Sequence, residues 1–214
     1  MRSLQIPLLP AIGKGIALHN ISGILDNQHH PIDFIPWSAY PDKPRVTFTI
    51  GHCRDHIYVK YDVTEKEVLA RYKHINDPVY RDSCVEFFIA FDDDAAYYNI
   101  EFNRLGTCLG RYGTERENRA EIPADILRMI KYERTLKQTM ENGELLINWT
   151  LTVSVPITVF VFHHFSTLQH KKCKMNFYKC GDDLSHPHYL AWNNIDSDEP
   201  NFHLPEFFGE VEFL

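Results

Sequence analysis

Apolar and polar residues alternate with a period of two along several stretches of the chain, and turn-forming residues separate these stretches. Between residues 84 and 91, for example, Val85, Phe87 and Ile89 alternate with a set that includes Glu86. Because successive side chains of a strand point to opposite faces, the pattern predicts half-buried β-strands. The predicted strands cover residues 46–50, 57–63, 84–91, 98–103, 145–153, 173–180, 188–192 and 207–213.

Helical patterns are few and short. Thr64 followed by Glu67 forms a capping box and predicts a helix over residues 64–72, and residues 123–129 and 156–162 each predict a turn or two of helix. Short strands without long helices between them predict an all-β fold, an antiparallel β-sandwich of the jelly-roll type with a few short helices. No linker or repeat divides the sequence, so we expect a single domain over residues 1–214, in which residues 1–35 form an irregular N-terminal lead.

The amino-acid composition supports the prediction of β-sheets and argues against nucleic acids and membranes as binding partners. The chain has 14 Phe, 11 Tyr and 3 Trp against 10 Gly, and aromatic residues suit the pleated, half-buried surface of a sheet. Its formal net charge is −7 and no block of basic residues occurs. Nucleic acids and anionic membranes are bound by clustered Lys and Arg, so we expect neither as a partner.

The cysteines do not form a recognisable framework. Five of them, an odd number, stand at wide spacings with no C-x-x-C motif, which predicts free and mostly buried thiols rather than disulfides or a zinc site. Such thiols suit a reducing compartment or a short-lived exposure to an oxidising one. The N-terminus is interrupted by Pro7 and Pro10 and lacks the apolar core of a signal peptide, so the chain as written is expected to be cytoplasmic. A periplasmic or secreted location would follow if the chain had been trimmed.

One predicted sheet face carries several carboxyl and amide side chains. If the strands at residues 84–91 and 98–103 form a hairpin, alternation places Glu86 near Asn99, Glu101 and Asn103, opposite the apolar face. Carboxylates accept hydroxyl hydrogens, and amides both donate and accept, so such a face suits the hydroxyls of a sugar. The alternative is an ordinary solvated face of a sandwich.

Other candidate features are less specific. Phe202 lies in a loop bounded by prolines and is either a stacking platform for an apolar ligand face or a plug at the sandwich edge. The pair His186-x-His188 could be half of a metal site but has no third ligand at a fixed spacing. The acidic run at residues 92–94 could bind calcium or form a solvated turn. A further polar cluster at the end of a strand contains Asn176, Tyr178, Lys179 and Asp182.

Several motifs occur in an order that resembles the family 9 carbohydrate-binding modules over residues 32–214. They are I-D-F-I-P-W near the start, then R-D-S-C-V-E-F-F-I-A-F-D, Y-Y-N-I-E-F-N, W-T-L-T-V-S-V-P and N-F-Y-K-C-G-D, and finally F-G-E-V-E-F. That family consists of β-sandwich domains often attached to xylanases. The resemblance implies that a sugar is held between two aromatic platforms while polar side chains of the sheet bind its hydroxyls.

The resemblance also implies positions for the binding residues. The glutamate of the D-S-C-V-E motif is Glu86, the polar position on the next strand is Asn99, and the polar position near the N-F-Y-K-C-G-D motif is Tyr178 or Lys179. One platform falls on Phe202, and strict spacing puts the other on Val79, with Tyr80 adjacent. The candidate ligand-binding residues are Tyr80, Arg81, Glu86, Asn99, Glu101, Tyr178, Lys179, Trp192 and Phe202, with no catalytic or metal-binding residue among them.

These observations predict non-catalytic binding of an oligosaccharide or polysaccharide of the xylan or cellulose type, in carbohydrate catabolism. A glycoside hydrolase that uses Glu86 and Glu101 as its carboxylate pair is the alternative. A third hypothesis is an interaction domain that has kept the sandwich without the sugar. The residues predict no cofactor, and the family resemblance allows a structural calcium ion.

Overall fold

Two β-sheets that share one apolar core carry most of the described chain in this computed structural model. The structure describes residues 1–9, 16–26, 28–92 and 94–214. Its strands and helices are β1 (Leu4–Ile6), α1 (Leu18–Leu25), β2 (His30–Pro31), β3 (Arg45–Cys53), β4 (His56–Glu65), β5 (Cys84–Phe91), β6 (Tyr97–Asn103), β7 (Cys108–Gly113), β8 (Ala120–Glu121), α2 (Ala124–Leu127), β9 (Lys131–Glu141), β10 (Glu144–Pro156), β11 (Lys172–Cys180), β12 (Tyr189–Ala191) and β13 (Gly209–Phe213).

The strand order confirms the predicted all-β sandwich. Within the described residues, the larger sheet has eight strands in the order β1-β13-β11-β5-β6-β7-β8, with β12 paired to β11. The smaller sheet has five strands in the order β2-β3-β4-β10-β9. Neighbouring strands are antiparallel except β1 and β13, which run parallel and bring the two ends of the chain together.

The core lies between the inner faces of the two sheets. Phe48 of the smaller sheet stacks on Phe177 of the larger one with ring centroids 3.7 Å apart, and the Trp192 ring meets both edge-on. The inward positions of β5 are the predicted Val85, Phe87, Ile89 and Phe91, all fully buried in this core. Burial of each such side chain contributes roughly 1.5–3 kcal/mol, so the alternation dictates which way β5 faces.

The outer face of β5 and β6 is also covered. A second apolar cluster, which includes Trp37, Phe88, Tyr97, Phe202 and Phe208, lies on this side of the larger sheet. The segment between β12 and β13 crosses the face and contributes Phe202 and Phe208. The face is therefore not the ordinary solvated surface that alternation alone allowed.

A buried carboxylate fixes the segment that leads into β5. Asp82 is fully buried, and its Oδ2 accepts hydrogen bonds from the backbone N–H groups of Arg71 (2.9 Å) and Tyr72 (3.0 Å). The side-chain amide of Asn103 donates to the same oxygen at 2.9 Å. Side-chain bonds of this kind hold residues 66–78 in an irregular path beside the end of β6.

The helix predicted over residues 64–72 is wrong. Thr64 and Glu65 continue β4, where Glu65 lies opposite Ile147 of β10. The buried carboxylate of Glu65 accepts a hydrogen bond from Nε1 of Trp149 at 2.6 Å. Pairing in the sheet and this buried bond outweigh the local capping-box signal.

The sequence predictions differ from the structure in two further respects and agree with it in a third. The N-terminal lead is not wholly irregular, since β1, α1 and β2 lie within it, while residues 10–15 and 27 fall outside the described ones. Strands β7 and β9 were not predicted. The short helices near residues 123 and 156 are present, as α2 and a single 3₁₀ turn. No helix in the described part of the chain is long and apolar enough to cross a membrane.

Candidate functional site

A pocket of about 300 Å³ opens on the outer face of the larger sheet. Its volume is at the lower end of the usual range of small-molecule sites, about 300–1,000 Å³. Strands β5, β6 and β7 form its floor, and the segment between β12 and β13 forms one wall. Five residues predicted from the sequence line it: Tyr80, Glu86, Asn99, Glu101 and Phe202.

Two carboxyl groups and an amide form the polar floor of the pocket. Glu86 of β5 lies directly opposite Glu101 of β6, and Asn99 is the next outward-facing residue of β6. All three side chains are buried. The amide of Asn99 donates from Nδ2 to Oε1 of Glu101 at 2.8 Å, whereas Oε2 of Glu101 has no hydrogen-bond partner among the described residues.

Burial raises the pKa of both carboxyl groups. Desolvation, followed by repulsion from Glu101, raises the pKa of Glu86 well above its usual range. Desolvation also raises the pKa of Glu101, to about 7, although the hydrogen bond from Asn99 and the nearby arginines act in the opposite direction. The raised pKa favours the neutral form of Glu86, which can donate a hydrogen bond as well as accept one.

An arginine that sequence reasoning missed fixes the orientation of Asn99. Arg119 donates from Nε to Oδ1 of Asn99 at 2.9 Å and from Nη2 to the carbonyl oxygen of Tyr97 at 2.7 Å. Its guanidinium also lies 4.2 Å from the centre of the Tyr97 ring. With its oxygen held by Arg119 and its nitrogen bonded to Glu101, the Asn99 amide presents one defined edge to the pocket.

The aromatic wall is supported from behind. Phe202 stacks on Tyr178 with ring centroids 4.1 Å apart and planes 9° from parallel, and the Tyr178 hydroxyl donates to the carbonyl oxygen of Phe202 at 3.2 Å. The rings of Trp37 and Tyr189 also contact Phe202, at 5.8 and 6.1 Å. These contacts hold the ring in place before any ligand arrives. Tyr80 and Tyr189 add aromatic surface to the pocket lining.

Several other polar lining residues were not singled out as site residues by sequence reasoning. Arg111 and Arg116 belong, with Arg119, to the polar stretch of residues 111–119, which the sequence suggested only as a loop. His203 accepts or donates a hydrogen bond with the Tyr97 hydroxyl at 3.0 Å, and burial together with nearby arginines lowers its pKa to about 3. Asp182 was noticed within a polar cluster, and burial raises its pKa to about 6.

Four of the predicted site residues do not line this pocket. Arg81 ends a 3₁₀ turn beside it, and Tyr178 is buried beneath Phe202. Trp192 belongs to the core between the sheets. Lys179 points inward from β11, where its Nζ lies 3.0 Å from Oε2 of Glu65 and 2.7 Å from Nε2 of His188. Alternation along β11 explains this, because Tyr178 and Lys179 must face opposite sides.

The other metal-related features of the sequence are engaged in protein contacts. His188 is nearly fully buried, with Nε2 near Lys179 and Nδ1 3.4 Å from Asp42. In the acidic run, Asp92 lies 3.5 Å from the Lys171 ammonium, and Asp94 accepts a hydrogen bond from the Tyr112 hydroxyl at 2.6 Å. Asp93 lies outside the described residues. One oxygen of each of these two carboxylates therefore already serves a partner within the protein.

Two groups of described residues bring three side chains of metal-ligating types together. Cys53, Asp55 and His56 meet at the surface turn between β3 and β4. Cys84, Glu86 and Cys180 meet at the floor of the pocket, and Glu86 and Cys180 are part of its lining.

Comparison with known proteins adds a family and a set of similar structures. The sequence model of carbohydrate-binding family 9 matches residues 22–213. The crystal structure of a candidate carbohydrate-binding protein from Bacteroides uniformis ATCC 8492 is 34% identical, with a TM-score of 0.88 over 100% of this chain and 99% of that chain. No curated protein matches the chain.

Two more distant structures share the fold. Both are family 9 carbohydrate-binding modules from Caldicellulosiruptor kristjanssonii, one in complex with glucose and one with cellotriose. The glucose complex is 13% identical, with a TM-score of 0.57 over 100% of this chain and 96% of that chain. The cellotriose complex is 14% identical, with a TM-score of 0.53 over 99% and 93% of the two chains.

Proposed function

Because the chain belongs to carbohydrate-binding family 9 and is a carbohydrate-binding module of that type, we propose that its ligands are short oligosaccharides of the xylan or cellulose type. They bind without catalysis in the pocket on the outer face of the larger sheet. The observation that carries the proposal is the combination, in one pocket, of the buried Glu86, Asn99 and Glu101 floor with the supported Phe202 ring.

The chemistry of the floor matches the hydroxyl edge of a sugar. Each hydroxyl group needs both a donor and an acceptor, and the neutral carboxyl of Glu86 supplies both. The unpartnered Oε2 of Glu101 is an acceptor that a sugar hydroxyl would satisfy, which removes the cost of a buried unpaired oxygen. These positions are held by the sheet and by Arg119, so little ordering is needed when a ligand binds.

The aromatic side chains suit the opposite, apolar face of a pyranose ring. Phe202 is anchored by Tyr178 and Trp37, and Tyr80 lies elsewhere on the pocket lining. A small pocket that is polar on its floor and aromatic on its wall supports dissociation constants between millimolar and micromolar, about −4 to −8 kcal/mol. In the cell, such binding would hold the protein on polysaccharide fragments during their breakdown.

The Glu86 and Glu101 pair also supports a second candidate, a glycoside hydrolase. Side chains directly opposite each other on antiparallel strands have Cβ atoms about 4.5–5.5 Å apart, close to the carboxyl separation of about 5–5.5 Å in retaining glycosidases. The raised pKa of Glu101, about 7, would suit a general acid. Both carboxyls, however, lie on the pocket floor, on one side of the ligand space.

Calorimetric titration with cello- and xylo-oligosaccharides separates these functions. We expect the native protein to bind at least one of these sugars and Asn99→Ala to weaken binding about tenfold, because a net hydrogen bond contributes about 0.5–1.5 kcal/mol. Asn148→Ala, on the smaller sheet and outside the pocket, is the matched control and should bind as the native protein does.

The same sugars, incubated with the protein and analysed for shorter products, test the hydrolase. Products that disappear in Glu86→Gln would establish the enzyme and overturn the non-catalytic proposal. If the protein bound neither the cello-oligosaccharides nor the xylo-oligosaccharides, the proposed ligand class would be overturned.

A further inference from the structure

Two thiols and a carboxyl converge at the pocket floor. Cys84 of β5 lies directly opposite Cys180 of β11, and Glu86 is two residues beyond Cys84 on the same face. Oε1 of Glu86 lies 3.0 Å from Sγ of Cys180 and 3.8 Å from Sγ of Cys84. All three residues are buried, and the three ligand atoms lie within 4.8 Å of one another.

These separations are close to those of a tetrahedral metal site. With Zn–S bonds of about 2.3 Å and Zn–O bonds of about 2.0–2.2 Å, tetrahedral angles place sulfur and oxygen ligands about 3.5 Å apart. The two observed sulfur–oxygen distances lie on either side of that value.

Among the described residues, the hydrogen bonds of the Glu86 carboxyl come from the two thiols, and no ion pair reaches it. The charged groups that act most strongly on this carboxyl are Glu101 and Asp182, which are both acidic. Glu101 also has a buried oxygen without a hydrogen-bond partner among the described residues. Buried carboxyl groups are normally paired with a cation, bound to a metal or kept protonated, so a metal ion would take the place of the proton that Glu86 holds in the metal-free protein.

We propose that Cys84, Glu86 and Cys180 form a binding site for a divalent metal ion that prefers sulfur ligands, of which Zn²⁺ is the main example. Two thiolates and one carboxylate are three protein ligands, and the fourth position faces the pocket because Glu86 and Cys180 line it. Three protein ligands and one open position are the arrangement in which zinc binds a water molecule or a ligand oxygen. The two thiols and the Glu86 carboxyl release their protons to solvent when the ion binds.

The donor set selects among metals. Sulfur ligands favour zinc and its thiophilic analogues, whereas calcium and magnesium require oxygen ligands throughout. The proposed site is therefore distinct from a calcium site, and it does not depend on which sugar the pocket takes.

A second cluster provides an internal comparison. Cys53, Asp55 and His56 meet at a surface turn, where Asp55 is exposed and accepts a hydrogen bond from Nδ1 of His56 at 2.9 Å. These ligands are only partly buried and come from a single turn. Metal bound by this second cluster would add to the measured binding. The variant Cys53→Ser removes its sulfur ligand and therefore this contribution.

The test begins with reduced protein that has been treated with a chelator and then titrated with Zn²⁺ by calorimetry. We expect one tight site in the native protein and in Cys53→Ser. Cys84→Ser and Cys180→Ser should each weaken binding at least about 100-fold, since even residues that only support a zinc ligand change affinity about 10–100-fold. Cys173→Ser is the matched control, because Cys173 is a buried thiol on the same strand as Cys180 but faces the other side.

X-ray absorption of the native zinc-loaded protein needs no variant and covers the case in which a cysteine variant fails to fold. The proposal expects two sulfur neighbours at about 2.3 Å. A native protein without a tight Zn²⁺ site, or one whose site is lost in Cys53→Ser but kept in Cys84→Ser and Cys180→Ser, would overturn it. Sugar titrations of the metal-free protein test the proposed function separately.

Discussion

Glu86 and Glu101 lie directly opposite each other on adjacent strands, and both carboxyls are buried. Two acids at one cross-strand position repel each other when ionised and lose their hydration, so this arrangement is unfavourable for the fold alone. Pairings that are unfavourable for the fold, such as two buried acids side by side in a sheet, are found mostly at functional sites. The pair therefore supports the proposed ligand site on this part of the outer face.

Replacement of Lys179 should damage stability and leave sugar binding intact. Its ammonium is fully buried, 3.0 Å from the buried Glu65 carboxylate, so Lys179→Met would leave that carboxylate without its cation. Breaking a buried ion pair on one side costs about 3–5 kcal/mol of the free energy of unfolding, which urea denaturation measures. Lys174→Met, on an exposed position of the same strand, is the control.

A different outcome would change the assignment of the pocket. If Lys179→Met kept its stability but lost oligosaccharide binding, Lys179 would be a ligand contact, as the sequence suggested, and its inward orientation would be wrong. We expect the dissociation constant to change by less than about twofold, well under the tenfold that corresponds to 1.4 kcal/mol.

Phe202→Leu tests the aromatic wall. Leucine keeps most of the apolar volume against Tyr178, so the fold should be retained, while the flat ring that would stack on a sugar is lost. We expect the dissociation constant for the best oligosaccharide to rise about tenfold, near the upper end of what an aromatic contact contributes. Phe162→Leu, at an exposed site outside the pocket, should bind normally. Equal affinities in the two variants would remove Phe202 from the binding surface.

The partly buried imidazole of His203 should make the protein sensitive to acid. Burial and three nearby arginines lower its pKa to about 3, while the Tyr97 hydroxyl is its hydrogen-bond partner. In the unfolded chain this imidazole takes up a proton below about pH 6.5, whereas in the folded chain it stays neutral until about pH 3. The stability present above pH 6.5 is therefore lost as the pH falls across this window. The arginines that face the imidazole are Arg111, Arg116 and Arg119.

Urea denaturation at pH 8 and pH 5 measures this effect. His203→Gln keeps a hydrogen-bonding group beside Tyr97 but cannot take up a proton, so it should reduce the loss of stability between the two pH values by up to about 2 kcal/mol. His19→Gln, at an exposed position, provides the control. An unchanged pH dependence in His203→Gln would show that other groups cause the acid sensitivity.

The core strands could be predicted from the sequence because alternation and burial agree there. In β5, each inward position is apolar, and a shift by one residue would place Glu86 in the core. The hairpin of β5 and β6, and with it the closeness of Glu86, Asn99 and Glu101, follows from the same rule. The carboxyl and amide floor of the pocket was therefore accessible to sequence reasoning.

Strand β9 was missed because the positions on its core-facing side are not all apolar. On the face that continues the core side of β10, Tyr132, Leu136 and Met140 are separated by Arg134 and Gln138, and the three apolar side chains are about half exposed or more. This strand is at the edge of the smaller sheet, where neither face needs to be fully apolar.

The walls of the pocket depend on contacts between residues far apart in the chain, which periodicity cannot predict. Arg119 reaches Asn99 across twenty positions, and Phe202 stacks on Tyr178 across an irregular segment. Lys179 was placed in the pocket by resemblance, although its neighbour Tyr178 was also a candidate and only one of the two can face outward. The structure brings Arg119 to the site and takes Lys179 away from it.

Crystals of the native protein soaked with cellotriose or xylotriose test the central claim most directly. We expect a sugar ring in the pocket, with hydroxyl oxygens within hydrogen-bonding distance of Asn99 and Glu101 and one ring face towards Phe202. Sugar bound only at another surface, or an empty pocket at saturating concentrations of both trisaccharides, would contradict it.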